Sequence, residues 1–172
     1  MSTENLRSTD VLLSEAKAEL RAQLNQGAHC PCCTQFAKIY ERRLNSGMAA
    51  CLLILYRIAK EMRTEEWIYV PAWVSSHPAL ANSREYPKLR YWGLVEQREN
   101  EDPDKKDSGF WRLTESGRNF VRGELEISSH VRLYDGRSLG FSGKPVTLKD
   151  CLGNRFSYQE LMNCGVKLSG TY

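Results

Sequence analysis

Two short apolar runs face each other across a loop that no protein interior can hold. Leu94-Val95-Glu96-Gln97 and Phe110-Trp111-Arg112-Leu113 flank Arg98 to Ser108, a stretch with nine charged or amide residues and Pro103. Such a loop must stay solvated, so the flanking runs read as two strands of a hairpin whose polar tip points into water. In the second strand, alternation puts Phe110 and Arg112 on one face and Trp111 and Leu113 on the other. Gly93 is placed to take the left-handed conformation that ends a helix. Thr114 can cap a following helix, with Gly117 tolerated in its first turn and Phe120 and Val121 turned inward.

The upstream residues extend this pattern. Met48 to Met62 reads as the most buried helix of the chain, with Leu52, Leu55, Tyr56, Ala59 and Met62 at helical spacing and Leu53, Ile54 and Ile58 widening the stripe. Trp67-Ile68-Tyr69-Val70 is a short strand candidate for the edge beside the hairpin. Ala72 to His77 reads as a brief helix that ends before Pro78. Asn82-Ser83 offer a cap for a helix over Arg84 to Trp92, shortened to Pro87–Trp92 if Pro87 takes the first helical position.

This order resembles the second half of a winged helix-turn-helix domain, as found in small bacterial and viral transcription regulators. The residues that carry the resemblance are Leu89-Arg90-Tyr91-Trp92-Gly93-Leu94-Val95-Glu96 and Trp111-Arg112-Leu113-Thr114-Glu115-Ser116-Gly117. In such regulators a glycine-leucine-hydrophobic-acid run leaves the recognition helix, and a leucine-threonine-glutamate-x-glycine run closes the wing. The match spans roughly Met48 to Arg122. It implies a duplex-DNA-binding transcription regulator whose third helix, residues 83–92, enters the major groove. Arg84, Lys88 and Arg90 would then reach base edges or phosphates, and Ser83 would bond a phosphate at the helix N-terminus. Arg98, Lys105 and Lys106 of the wing would lie along the neighbouring groove.

Charge argues in both directions. The net charge is +3, mildly basic. The loop Arg98 to Ser108 has three cations against five acids, net −2, which DNA repels. Ser83 to Trp92 has three cations and Glu85, net +2, and residues 127–172 have six cations against three acids, net +3. Arg132, Arg137, Lys144, Lys149 and Arg155 are therefore further phosphate candidates, or ordinary surface charge. The competing expectation is a non-catalytic protein-interaction or inhibitor module, viral or carried by a mobile element, that docks on a larger complex.

The chain outside this region divides into an N-terminal part, 1–47, and a C-terminal part, 125–172, around the expected winged helix at 48–124. The fold class expected is α+β, one compact domain with extensions at 172 residues. Asp10 to Gln26 reads as a helix with Leu12, Ala16, Leu20 and Leu24 in one stripe, which either packs on its own domain or forms a homodimer. Thr34 to Leu44 looks helical, with Phe36, Ile39, Tyr40 and Leu44 on one face and Asn45-Ser46-Gly47 as its break. Asp135-Gly136 between Val131–Tyr134 and Arg137–Phe141 is the strongest hairpin signal. Val146 to Asp150 reads as a strand or a short helix start, and Ser157 to Glu160 as a capping box.

Between the first two helices stands His29-Cys30-Pro31-Cys32-Cys33. The C-P-x-C spacing of Cys30 and Cys33 matches half of a structural zinc site, where a tight turn aims two thiolates at one metal. Four ligands complete such a site, and His29, Cys32, His77, His130, Cys151 and Cys164 are scattered. The same spacing opens the helix of a thioredoxin-like redox pair, but that fold wants a buried strand just before it, where here a polar helix and Gly27 stand. Cysteines at a plain helix start are the third reading.

No phosphate-cradling glycine loop, nucleophile elbow, HExxH pair or paired-carboxylate site is recognisable, so no catalysis is expected. Met1 to Gln26 has acids at Glu4, Asp10, Glu15 and Glu19 and no apolar core of a signal peptide. With six cysteines at irregular spacing, that implies a reducing, cytoplasmic setting.

Overall fold

The computed structural model describes residues 12–64, 66–74, 76–77, 85–102, 104–105 and 107–163. It is an α+β structure in which one buried helix, α2, Ser46–Glu61, packs mainly against the other helices and against one antiparallel sheet. Asn45 starts that helix: its side-chain oxygen accepts from the Met48 amide at 2.9 Å, satisfying one of the free donors of the first turn. Asn45-Ser46-Gly47 thus opens α2 rather than ending a preceding helix. From Met48 to Leu55 every side chain is buried, so α2 is packed on all sides along its first half. Arg57 is buried too. It is satisfied by donating to the Leu161 carbonyl at 2.6 Å and by an ion pair with Glu61 at 3.5 Å.

One sheet has the order β4-β6-β5, with β4 Ile68–Tyr69 at one edge, β5 Val95–Gln97 at the other and β6 Phe110–Leu113 between them. Register pairs Val95 with Leu113 and Ile68 with Trp111, so Ile68, Val95, Trp111 and Leu113 are buried on the core face. The edge position expected for Trp67 to Val70 is therefore observed. The helix α3, Pro71–Val74, follows β4.

The chain reaches β5 through a 3-10 helix, Tyr86–Trp92, with Pro87 in its first turn. It ends at Gly93, whose φ of 67° is the left-handed conformation a side chain would penalise. After β6, Thr114 caps α4, Glu115–Arg122, its hydroxyl accepting from the Gly117 amide at 2.9 Å. Phe120 and Val121 are buried as expected. Gly117 is required rather than tolerated: a Cβ there would lie 2.0 Å from the Leu94 carbonyl oxygen.

The other three-stranded sheet has the order β3-β7-β8. β7 Ile127–Tyr134 and β8 Arg137–Val146 form the expected hairpin, turning at Asp135 and Gly136 with φ of 48° and 68°. Val146 ends β8, and Thr147 caps α5, Leu148–Leu152, through a full capping box with Asp150. At Ser157 the hydroxyl accepts from the Glu160 amide at 3.3 Å, opening α6, Tyr158–Asn163. Trp92, the last residue of the 3-10 helix, ties that helix to β7 by donating from Nε1 to the Ser128 carbonyl at 2.9 Å. Both sheets contribute to one hydrophobic cluster with α2, α4 and α5.

The N-terminal region departs from expectation. α1 spans Leu13–Gln23, and Ala16 and Leu24 are buried while Leu12 is 66% exposed. The helix expected over Thr34 to Leu44 is absent. That stretch holds β2 Phe36–Ala37, paired with β1 Ala28–His29, and β3 Tyr40–Arg43, paired with His130–Leu133 of β7. Thr34 takes φ of 60°, which cannot begin a helix. Of the apolar residues at helical spacing, Leu44 alone is buried among Phe36, Tyr40 and Leu44. Ladder bonds to β7 outweigh a weak local helical preference.

Candidate nucleic-acid interface

Ser83, Arg84 and Lys106 lie outside the described residues. Within them, Lys88 and Arg90 stand on the 3-10 helix. Lys88 is half-buried and forms an ion pair with Glu85. Arg90 is exposed, lies 5.1 Å over the Tyr91 ring and donates to Gln97 of β5 at 3.4 Å. That contact brings the expected reader segment against the start of the hairpin loop. Among the described residues Arg90 is in no ion pair, so its charge is available to an anion.

The described hairpin cations, Arg98 and Lys105, are engaged within the loop. Arg98 pairs with Glu101 at 3.4 Å and lies 5.6 Å over Phe110. Lys105 pairs with Asp102 at 2.8 Å. That hydrogen bond holds the Asp102 carboxyl below its usual range and the Lys105 ammonium above its own. Both groups are open to water, so the pair adds little stability. Its consequence is electrostatic: Arg98 and Lys105 face the loop's own acids. On the exposed face of the sheet, Arg112 pairs with Glu96 at 2.7 Å and stacks on Trp67 at 4.5 Å.

A further group of cations lies elsewhere. The end of α2 packs beside α4, and the groove between them, of about 330 Å³, is lined by Lys60, Arg63, Arg118 and Arg122 with Tyr56 and Thr64. Four cations and no carboxylate line it among the described residues. Arg118 is oriented by donating to the Leu113 carbonyl at 3.1 Å. Arg122 is held by Glu124 at 2.8 Å, which raises the guanidinium and lowers the carboxylate from their ordinary values. Lys60 and Arg63 are exposed and in no ion pair among the described residues. Sequence reading missed this groove because its halves are far apart in the chain. The one local signal was the four-residue spacing of Arg118 and Arg122, which puts both on one face of α4.

Cys30 and Cys33 sit where β1 turns into β2. Cys30 donates its amide to the Gln35 carbonyl at 2.9 Å, and its carbonyl accepts from Thr34 at 2.8 Å, closing the turn. The Cys30 thiol is held below its usual range, first by the Cys33 amide and then by the Cys32 amide. Cys151 behaves oppositely: burial, then the neighbouring Asp150, push its thiol up to about 11. Of the other ligand candidates, His77 is buried with Nδ1 at 3.1 Å from the Trp73 carbonyl, and His130 contacts Ser129 at 3.0 Å. Among the described residues, no cluster of three or more His, Cys, Asp or Glu side chains is placed to hold a metal ion.

No model of a known protein family, no curated protein and no solved structure matches the chain. No helix among the described residues is long and apolar enough to cross a membrane.

Proposed function

We propose that the chain is a winged-helix protein that binds duplex DNA and regulates transcription, reading bases from the Tyr86–Trp92 segment and gripping phosphates in the α2/α4 groove. The order α2, β4, α3, 3-10 helix, β5, loop, β6, with β4 at the hairpin's edge, supports the winged-helix reading. The observation that carries nucleic-acid binding is the groove: four cations converge on one surface, and of them Arg122 alone is in an ion pair among the described residues, with Glu124. Arg90 is the base-reading candidate, with a planar fork suited to a guanine edge. Lys88, tied to Glu85, is the weaker contributor.

The test is selection of bound duplexes from a random pool, followed by salt titration of the best binder. Lys60→Ala with Arg63→Ala removes two phosphate contacts, so the salt slope falls by about 2 and affinity drops for every sequence alike. Arg90→Ala lowers discrimination at one base pair by roughly tenfold or more. Arg98→Ala with Lys105→Ala changes either quantity little, because each cation already faces an acid. An empty selection at low salt, or an unchanged slope in the double variant, overturns the proposal. The net-negative hairpin loop, with Arg98 and Lys105 already paired to acids, favours the second reading, a protein-docking module, whose binding would persist at high salt.

A further inference from the structure

Ring and cation alternate along one short stretch of chain: Phe36, Lys38, Tyr40 and Arg42. A spacing of two puts such residues on one side of an extended backbone. All four line a single cleft of about 550 Å³, a size in the range of roughly 300–1,000 Å³ found for ligand sites. In β3, Tyr40 lies opposite Leu133 and Arg42 opposite Val131, so both share the face of those buried β7 residues. Phe36 is seated over Gly27. A Cβ at that glycine would lie 2.5 Å from the Phe36 Cζ and 3.2 Å from the Lys38 Cδ, so the missing side chain makes room for ring and stem together. His29 meets the same ring edge-on at 5.2 Å. The backbone between the strands is tied to the end of α1 by the Ile39 amide, which donates to the Leu24 carbonyl at 2.8 Å.

Packing leaves these rings open. Phe36 is 50% and Tyr40 56% exposed. Tyr91 of the 3-10 helix and Tyr134 of β7, both half-buried, add two more rings to the lining. Lys38 and Arg42 are in no ion pair among the described residues, and Asp135 is the one carboxylate among the described residues of the lining. Arg90, 5.1 Å over the Tyr91 ring, adds a cation beside it. A partner with one apolar face does not match a surface on which ring and charge alternate. A nucleic-acid strand does, because each nucleotide presents one flat base and one negative phosphate. Inside a duplex the faces of the bases are covered by their neighbours, so rings in a cleft reach them only on an unpaired strand.

We propose that this cleft binds unpaired nucleic acid, with bases stacked on Phe36 and Tyr40 and phosphates held by Lys38 and Arg42. The site uses none of the cations of the α2/α4 groove, so it stands independently of the duplex reading.

The experiment uses the full chain and fluorescence anisotropy. The probes are a labelled oligothymidine of about ten nucleotides and its oligouridine counterpart, neither of which pairs with itself. The expected result is binding at about 50 mM salt that weakens steeply as salt rises. A preference for either probe supports the proposal and names the sugar that the cleft accepts. Phe36→Leu and Tyr40→Leu keep an apolar side chain but remove the aromatic face, and each should weaken binding by about tenfold. Lys38→Gln with Arg42→Gln should lower the salt slope by about 1.4, so the test stands even if a leucine variant folds poorly. Lys60→Ala with Arg63→Ala should leave single-strand binding unchanged, which separates this site from the groove. Absence of binding to both probes, leucine variants that bind as wild type does, an unchanged slope in the glutamine pair, or equally tight binding of a glutamate-rich peptide overturns the proposal.

Discussion

The two three-stranded sheets are built on opposite principles. In β4-β6-β5 the strands are two to four residues long, and the sheet exists because Ile68, Val95, Trp111 and Leu113 need a core to enter. In β3-β7-β8 the hairpin strands are eight and ten residues long. There β3 is exposed throughout, and β8 is exposed at all but Ser142 and Val146. That sheet is held by its ladder, its Asp135-Gly136 turn, and the inward residues of one strand, Ser129, Val131 and Leu133. Short strands can thus be the more strongly fixed ones when their side chains supply the energy.

Truncating an aromatic in each sheet tests that contrast. Trp111 is 2% exposed and meets Tyr86 edge-on at 5.5 Å, whereas Phe141 is 55% exposed. Trp111→Ala should cost about 4 kcal/mol in urea unfolding. Phe141→Ala should stay within about 0.5 kcal/mol of wild type. Equal losses would mean that β8 is covered in solution and that its exposure is not the working state.

The same contrast explains what the sequence made legible. Around the first sheet, burial leaves its mark as alternation in Phe110 to Leu113, and the stops and caps at Gly93 and Thr114 are local chemistry. All of these were readable, as was the Asp135-Gly136 turn. In β3, Tyr40 to Arg43 has no buried face, so no alternation marks it as a strand. Its state is decided by bonds to His130–Leu133, a pairing no local window contains. The positions of individual cations could be listed from sequence, but not their partners. Lys88, Arg98 and Lys105 proved to be engaged by acids three residues away, while Lys60 and Arg63 gained weight only once α4 was packed beside them.

Gly117 gives a sharper probe of the first sheet. In an ordinary helix, Gly→Ala stabilises by up to about 1 kcal/mol. Here the added carbon would press on the Leu94 carbonyl, which also accepts from the Thr114 amide at 3.2 Å. That oxygen belongs to the junction of β5 and α4 and cannot swing aside without breaking it. Gly117→Ala should therefore destabilise by about 3 kcal/mol, with the sign opposite to helix propensity. A neutral or stabilising result in urea unfolding would show that α4 can lift from the sheet.

The smallest effect tests the link that follows β8. Asp150 accepts from the amide and hydroxyl of Thr147, at 2.8 and 2.7 Å, and seats α5 with Leu148 and Leu152 in the core. Those bonds, the amide's first, hold the Asp150 carboxyl below its usual value. A carboxyl depressed on folding contributes stability that is present above its unfolded pKa, near 4, and is lost as pH falls through the lower folded value. Asp150→Asn removes that titration while keeping an acceptor for the Thr147 amide. Wild type should therefore lose more stability than the variant between about pH 5 and pH 2, and the two should converge at the acid end. Parallel curves through the acid range would mean that α5 is seated by Leu148 and Leu152 alone, and that the second sheet's anchor, like the first sheet itself, is hydrophobic.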